Sequence, residues 1–188
     1  TGARVVILGT GVLGTCVLQI LKLYRGVHVV CADLLPERLE RAAALGADAT
    51  VLAGEGARAE SAGAVIAALG GQGADIVFEC AGEPDTLWNM CEVAAPGAHL
   101  AVIGSNPEDT VAFSSGSARR KGLTLRFVRR SLNTLEAALE LAAKGLIEPR
   151  AIATHTFSAN EASAAFDLVD RRADGVLKAL IDMTRWDN

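Results

Sequence analysis

The run Gly9-Thr10-Gly11-Val12-Leu13-Gly14 constrains this chain more than any other feature, because of what stands on either side of it. Before it, Val5-Val6-Ile7-Leu8 is a continuous apolar stretch rich in β-branched residues, the pattern of a strand buried on both faces of a parallel sheet. After it, Val12, Leu13, Cys16, Val17, Ile20, Leu21 and Tyr24 recur at three- and four-residue spacing, which predicts an amphipathic helix that Gly26 ends in a left-handed conformation. Strand, glycine turn and helix in direct succession make the spacing a phosphate-binding fingerprint. Gly9 permits the tight turn, Gly11 lets a diphosphate reach the main chain without meeting a Cβ, and Gly14 lets helix and strand pack closely. The unpaired N–H groups and the dipole at the helix start favour the anion, which places Val12 and Leu13 beside it.

The alternation continues along the chain. Val27 to Ala32 reads as a second buried strand, Pro36 suits a first helical position, and Leu39, Ala42, Ala43 and Leu45 form a stripe ended by Gly46. A weak strand at Ala49 to Leu52 precedes a Gly- and Ala-rich stretch and a helix around Ala62 to Leu69. Gly70 to Gly73 turns the chain into a strand at Asp75 to Phe78. Pro84 starts a helix through about Ala94, Pro96-Gly97 turns the chain, and Leu100 to Ile103 is a strand before a polar loop at Gly104 to Asp109. Leu123 to Val128 is the sixth strand. One connected sheet built this way has right-handed crossovers, so the expected fold is α/β: a Rossmann doubly wound six-stranded parallel sheet.

Two further helices bring their own caps. Asn133 with Glu136 opens one carrying Leu135, Ala138, Leu139 and Ala142, ended by Gly145, and Ser158 with Glu161 opens one carrying Ala162, Ala165, Phe166 and Val169. Strand-like runs at Ile152 to Phe157 and Leu177 to Met183 complete extra C-terminal strand-helix-strand elements with no place in a six-stranded sheet. The expected organisation is therefore a nucleotide-binding domain over residues 1–150 and a C-terminal segment over 151–188 that packs on a part of the protein outside this chain. The opening Thr1-Gly2-Ala3-Arg4, with no initiator Met and no signal-peptide layout, fits an excised portion of a longer chain.

Composition excludes several classes. Among 188 residues, 51% are hydrophobic and 21% charged, which a disordered chain does not show. A net charge of -4 leaves no global positive field for nucleic acid or an anionic membrane, so neither is an expected partner. The longest apolar segment, Val12 to Tyr24, is broken by Gln19 and Lys22 and falls short of the roughly 18 residues a bilayer span needs. The four cysteines, Cys16, Cys31, Cys80 and Cys91, lie in apolar segments without a CxxC pair, as reduced core thiols do, and the expected compartment is the cytoplasm.

Asp33 ends the second strand, 19 residues beyond Gly14, where a carboxylate can accept hydrogen bonds from the adenosine ribose hydroxyls. The cofactor this implies is NAD, since the same charge repels the extra phosphate of NADP in a crevice that water screens poorly. The plainer alternative is an aspartate capping the helix ahead of Pro36.

Taken in order, Gly9 to Gly14, Asp33 with Arg38, Leu45-Gly46-Ala47-Asp48, Gly73-Ala74-Asp75, Phe78-Glu79-Cys80-Ala81-Gly82, Pro96-Gly97 and Val102-Ile103-Gly104 resemble the medium-chain dehydrogenases/reductases of the zinc alcohol dehydrogenase type. The likeness runs nearly end to end. Glu79-Cys80-Ala81-Gly82, Thr154-His155-Thr156-Phe157 and Leu177 to Ile181 are similar to the polyol (sorbitol, xylitol) and threonine dehydrogenase branch. The resemblance implies that Arg38 helps bind the adenosine ribose, that the loop after Cys80, with Ala81, lies along the adenosine, and that Ile103-Gly104-Ser105 passes the nicotinamide. Arg129 matches a family position that approaches cofactor or substrate, although Arg126 stands where glycine is frequent and Arg130 adds a charge. Arg119-Arg120-Lys121 reads as a solvated helix end. The resemblance also implies pairing of copies through an edge strand of this domain, Leu123 to Val128 here.

In that family the catalytic zinc ligands and the proton relay come from a domain preceding the nucleotide fold. No residue of this chain is assigned as catalytic or as a metal ligand: His28 and His99 read as strand-end residues, His155 as structural, and none stands at ligand spacing from a cysteine or a second histidine. Glu79 reads as a hydrogen-bonded strand residue. The function implied is the NAD(H)-binding domain of a zinc-dependent alcohol or polyol dehydrogenase, inactive by itself, with zinc carried by the full-length enzyme and an alcohol or polyol as substrate. Two alternatives stay open: a zinc-free quinone or enoyl reductase, which favours NADP and lacks an acid at the Asp33 position, and a non-catalytic module that senses NAD.

Overall fold

The first strand, β1 (Ala3–Leu8), runs directly into α1 (Val12–Leu21), as a buried β-branched run followed by a three- and four-residue apolar period requires. The computed structural model describes residues 2–54, 58–106 and 110–186. There the alternation proceeds through β2 (Val27–Asp33), α2 (Pro36–Ala44), β3 (Ala49–Leu52), α3 (Arg58–Ala68), β4 (Ala74–Glu79), α4 (Pro84–Val93), β5 (Ala94–Val102), α5 (Ser115–Lys121) and β6 (Thr124–Phe127). Part of the Gly- and Ala-rich stretch before α3 and the end of the polar loop after Gly104 lie outside the described residues.

All six strands are parallel, in the order β3-β2-β1-β4-β5-β6. Successive strand residues point to opposite faces, and two cores form as a result. Val5, Ile7, Val29 and Cys31 pack with Leu18 and Ala42 on one face; Val6, Leu8, Val30, Val77 and Leu100 pack with Val65 and Met90 on the other. The sheet is thus doubly wound, and chain order reverses between β1 and β4, where the crevice of such sheets lies.

Several local expectations shift. Helix α1 ends at Leu21 and does not reach Tyr24: Leu23 and Tyr24 donate to Ile20 and Leu21 three residues back, tightening the last turn, and Gly26 (φ +74°) joins the next strand instead. Strand β5 begins at Ala94 rather than Leu100. Ala94 pairs with Ala74, and Pro96-Gly97 forms an irregularity inside the strand where the register with β4 shifts. Of the cysteines, three are buried but Cys16 faces solvent. Lys121 is more than a solvated helix end: its Nζ donates to the carbonyls of Cys91 (2.9 Å) and Glu92 (2.7 Å), closing the C-terminus of α4.

The chain divides into two compact units, 1–134 and 135–188, a boundary that falls before the expected 150. The second unit holds α6 (Leu135–Ala143), β7 (Ala153–Ser158), α7 (Ala162–Asp170) and β8 (Lys178–Asp182), with β7 and β8 paired in parallel. Ser158 and Glu161 form the expected capping box. Asn133 does not cap α6: it adopts φ +54° and stands two residues ahead of Leu135, leaving Thr134 next to the helix. His155 is held by Thr154 Oγ1 (2.9 Å) and Asp174 Oδ2 (3.3 Å), and His28 and His99 are strand residues of β2 and β5.

Candidate cofactor-binding site

The turn between β1 and α1 is shaped by two close approaches. Gly9 has φ +89°, a conformation that side chains disfavour, and a Cβ there would meet Ala81 N at 2.8 Å. A Cβ on Gly14 would lie 2.0 Å from the Gly9 carbonyl oxygen. Gly11 differs, since its φ of -67° suits any residue and a Cβ would meet only Arg38 Nη1, at 3.6 Å. Gly9 and Gly14 are therefore fixed by packing, whereas Gly11 leaves bare main chain facing the crevice.

Helix α1 starts at Gly11 with no side-chain cap and no acidic residue in its first turn. Helix geometry leaves the first-turn N–H groups of Val12, Leu13 and Gly14 without intrahelical partners. Together with the dipole they form a cradle for an anion. Leu13 is half exposed and Val12 less so.

Asp33, at the end of β2 and 8% exposed, holds this turn in place. Its Oδ2 accepts from Thr10 N at 2.7 Å and from Thr10 Oγ1 at 3.1 Å, and its Oδ1 accepts from Leu35 N at 3.0 Å. Thr15 Oγ1 donates to the Thr10 carbonyl at 3.1 Å, so both ends of that residue are fixed. Arg38 Nη1 lies 3.8 Å from Asp33 Oδ2 and closes the side of the crevice next to Gly11. Asp33 Oδ1, with one donor, retains capacity for a further hydroxyl. The capping alternative is not met: Leu35 stands at the N-cap of α2 with no side-chain cap, and the bond from Leu35 N to Asp33 is a two-residue turn ahead of the helix.

Across the switch point, the loops after β4 and β5 lock together. Cys80 N donates to the Leu8 carbonyl, and Ile103 N and Gly104 N both donate to the Glu79 carbonyl. Glu79 is fully buried, and its Oε1 accepts from Ala81 N (2.8 Å), Gly82 N (2.7 Å) and Thr86 Oγ1 (2.8 Å), the hydrogen-bonded role read from the sequence. Gly9, Gly11, Val12, Leu13, Gly14, Asp33 and Arg38 thus gather on one side of the crevice, with Cys80, Ala81, Ile103 and Gly104 on the other. Arg129 stands apart: it is exposed and follows β6, the third strand from β1 on that side. The roles of Thr10 and Thr86 were not expected from the sequence, where the only hint was a hydroxyl residue inside the glycine turn and another near the start of α4.

The two buried thiols nearest the crevice, Cys31 and Cys80, are chemically quiet. Burial, followed by the nearby Asp33 charge, pushes the Cys31 thiol up to about 12. Burial, with Glu79 next, raises Cys80 still further above the ordinary thiol range. Neither becomes a thiolate near neutral pH, so neither is a nucleophile or a ready metal ligand. Among the described residues no group of three His, Cys, Asp or Glu side chains is placed to hold a metal.

Six parallel strands in this order, with a bare helix start and an acid one strand away, define a dinucleotide-binding α/β domain. The sequence pattern of the zinc-binding dehydrogenases matches residues 12–144, and the chain belongs to that family. It is 28% identical to the D-xylulose reductase of Saccharomyces cerevisiae (strain ATCC 204508 / S288c) over 183 residues, 96% of this chain and 51% of that protein. A solved alcohol dehydrogenase (rspB) from E. coli CFT073, complexed with NADH, superimposes with a TM-score of 0.84 at 26% identity, covering 97% of this chain and 52% of that one. A zinc-binding dehydrogenase from Sinorhizobium meliloti 1021 bound to NADP gives a TM-score of 0.81 at 27% identity, over 96% of this chain and 52% of its own. The chain spans about half the length of these proteins.

Proposed function

We propose that this chain is the NAD(H)-binding half of a zinc-dependent alcohol or polyol dehydrogenase. The observation that carries the reading is the Gly9–Gly14 turn, whose bare main chain and unpaired first-turn N–H groups suit a diphosphate, clamped by Asp33 through Thr10. Asp33 Oδ1 and Arg38 suit the adenosine ribose, and the walls beyond β1 are Cys80, Ala81, Ile103 and Gly104; Arg129, exposed after β6, is not among them. NAD, when bound, accepts or returns the hydride exchanged with a secondary alcohol carbon. The residues here bind it, orient it and exclude water from one side of the ring.

Zinc belongs, on this reading, to the other half of the full-length enzyme, and the 188 residues alone bind NAD without turning over alcohol. The segment 151–188 packs against that half. Phe166, Met183 and Trp186 are 73%, 63% and 62% exposed, which supports a covered role in the whole protein. A homo-oligomer through β6 is favoured by its place at the edge of the sheet, with Phe127 64% exposed. Light scattering tests that pairing, and a monomer at all concentrations removes it. Among the described residues no helix is long and apolar enough to cross a membrane, and we place the protein in the cytoplasm.

Titration of the protein with NADH and NADPH, followed by the fluorescence of the reduced ring, tests the assignment. The expected result is saturable NADH binding about tenfold or more tighter than NADPH, from the Asp33 charge. Comparable affinities defeat the assignment of Asp33, and no binding of either defeats the function.

A further inference from the structure

We infer that Glu79 sets the preference of this site between the oxidised and the reduced cofactor, its buried carboxylate favouring the positively charged nicotinamide of NAD+ over the neutral ring of NADH. The inference rests on the dinucleotide reading given above. Direction comes from the sheet order: Asp33 on β2 takes the ribose to one side of β1, so the remaining half of the dinucleotide must cross to the ends of β4 and β5. Gly104 stands there, immediately behind β5.

Glu79 sits directly beneath that turn. Its Oε2 is buried, has no hydrogen-bond partner among the described residues, and lies 2.6 Å from the position a Cβ on Gly104 would take. The same bare position also admits the Gly82 main chain, which a Cβ on residue 104 would meet first, so the carboxylate and the two loops close together at Gly104. Three other acids at strand ends of the six-stranded sheet face cations: Asp33 has Arg38, Asp48 has Lys22, and Asp75 has Arg4. Among the described residues Glu79 forms no ion pair, and all its bonded neighbours are neutral N–H or O–H donors.

A fold that needed only to hold the Ala81-Gly82 turn could use a neutral acceptor. A carboxylate adds a negative charge beneath the Gly104 turn, in buried surroundings where water and salt screen it weakly. The two cofactor forms differ by one positive charge on the ring, so such a charge acts on their difference in affinity.

The test compares dissociation constants for NAD+ and NADH, by calorimetry, in the protein and in Glu79→Gln. Substitution is expected to weaken NAD+ relative to NADH by about fivefold. Thr86→Val, which removes a hydrogen bond to Oε1 but leaves the charge, is expected to keep the ratio of the two constants within about twofold of the original. Should Glu79→Gln fail to fold, Glu79→Met, of similar reach and uncharged, must move the ratio in the same direction. An unmoved ratio, or an equal shift in Thr86→Val, overturns the inference while NADH binding by the unsubstituted protein still stands. Failure of the unsubstituted protein to bind either form removes the proposed function instead, and this inference with it.

Discussion

Asp33 Oδ2 accepts the main-chain N–H of Thr10 at 2.7 Å, linking the end of the second strand to the turn after the first across 23 residues of sequence. One carboxylate therefore shapes the anion cradle and stands beside it. Replacing Asp33 with Ala strands the N–H groups of Thr10 and Leu35, one of them buried, and is expected to cost about 2–3 kcal/mol of stability. Urea unfolding measures that loss. The same variant is expected to bind NADH about tenfold more weakly and to lose its discrimination against NADPH.

The turn glycines separate packing from ligand access. In Gly14→Ala the new Cβ meets the Gly9 carbonyl, which is backbone and cannot give way, so a loss of about 3 kcal/mol or failure to fold is expected. In Gly11→Ala the Cβ has room and the backbone is unstrained, so stability stays within about 1 kcal/mol while NADH affinity falls about tenfold. Thermal unfolding paired with calorimetry checks both, and equal effects of the two substitutions would contradict the assignment.

Much of this was legible in the sequence, for a physical reason. Strands buried on both faces are continuous apolar runs, and helices packed on one side repeat at three or four residues, so the alternation from β1 to β6 could be read directly. The glycine spacing, with Asp33 after β2, marked the crevice. What stayed hidden depends on contacts distant in sequence. Thr10 joins Asp33, and Gly104 makes room for Gly82 and Glu79, only once the strands lie side by side. The early end of α1 and the early start of β5 hang on turn hydrogen bonds and a register shift, which apolar spacing does not encode.

Stability in acid depends on ion pairs at the opposite ends of the strands. The Arg4 side chain, then its main-chain N–H, holds Asp75 below the usual carboxylate range. Because the folded value is lower than the unfolded one, the stabilisation is present above about pH 4 and is lost as pH falls through the folded value. Asp75→Asn is expected to flatten the acid limb of the melting temperature against pH and to change it little at pH 7, since the pair is partly exposed.

Thiol reactivity follows burial. Cys16 faces solvent, while Cys31, Cys80 and Cys91 are buried and their thiols are raised above the ordinary range. A disulfide reagent such as dithionitrobenzoate at pH 8 is expected to modify Cys16 rapidly in the folded protein and all the cysteines after unfolding. Bound NADH is expected to protect none of the buried thiols further, because they are already inaccessible.

A crystal structure of the protein grown with saturating NADH decides whether the crevice holds the dinucleotide. The diphosphate is expected within hydrogen-bonding distance of the Val12 and Leu13 N–H groups, the adenosine ribose on Asp33 Oδ1, and the ring over Gly104. An empty crevice at saturation, or a dinucleotide bound elsewhere on the protein, would contradict the proposed function.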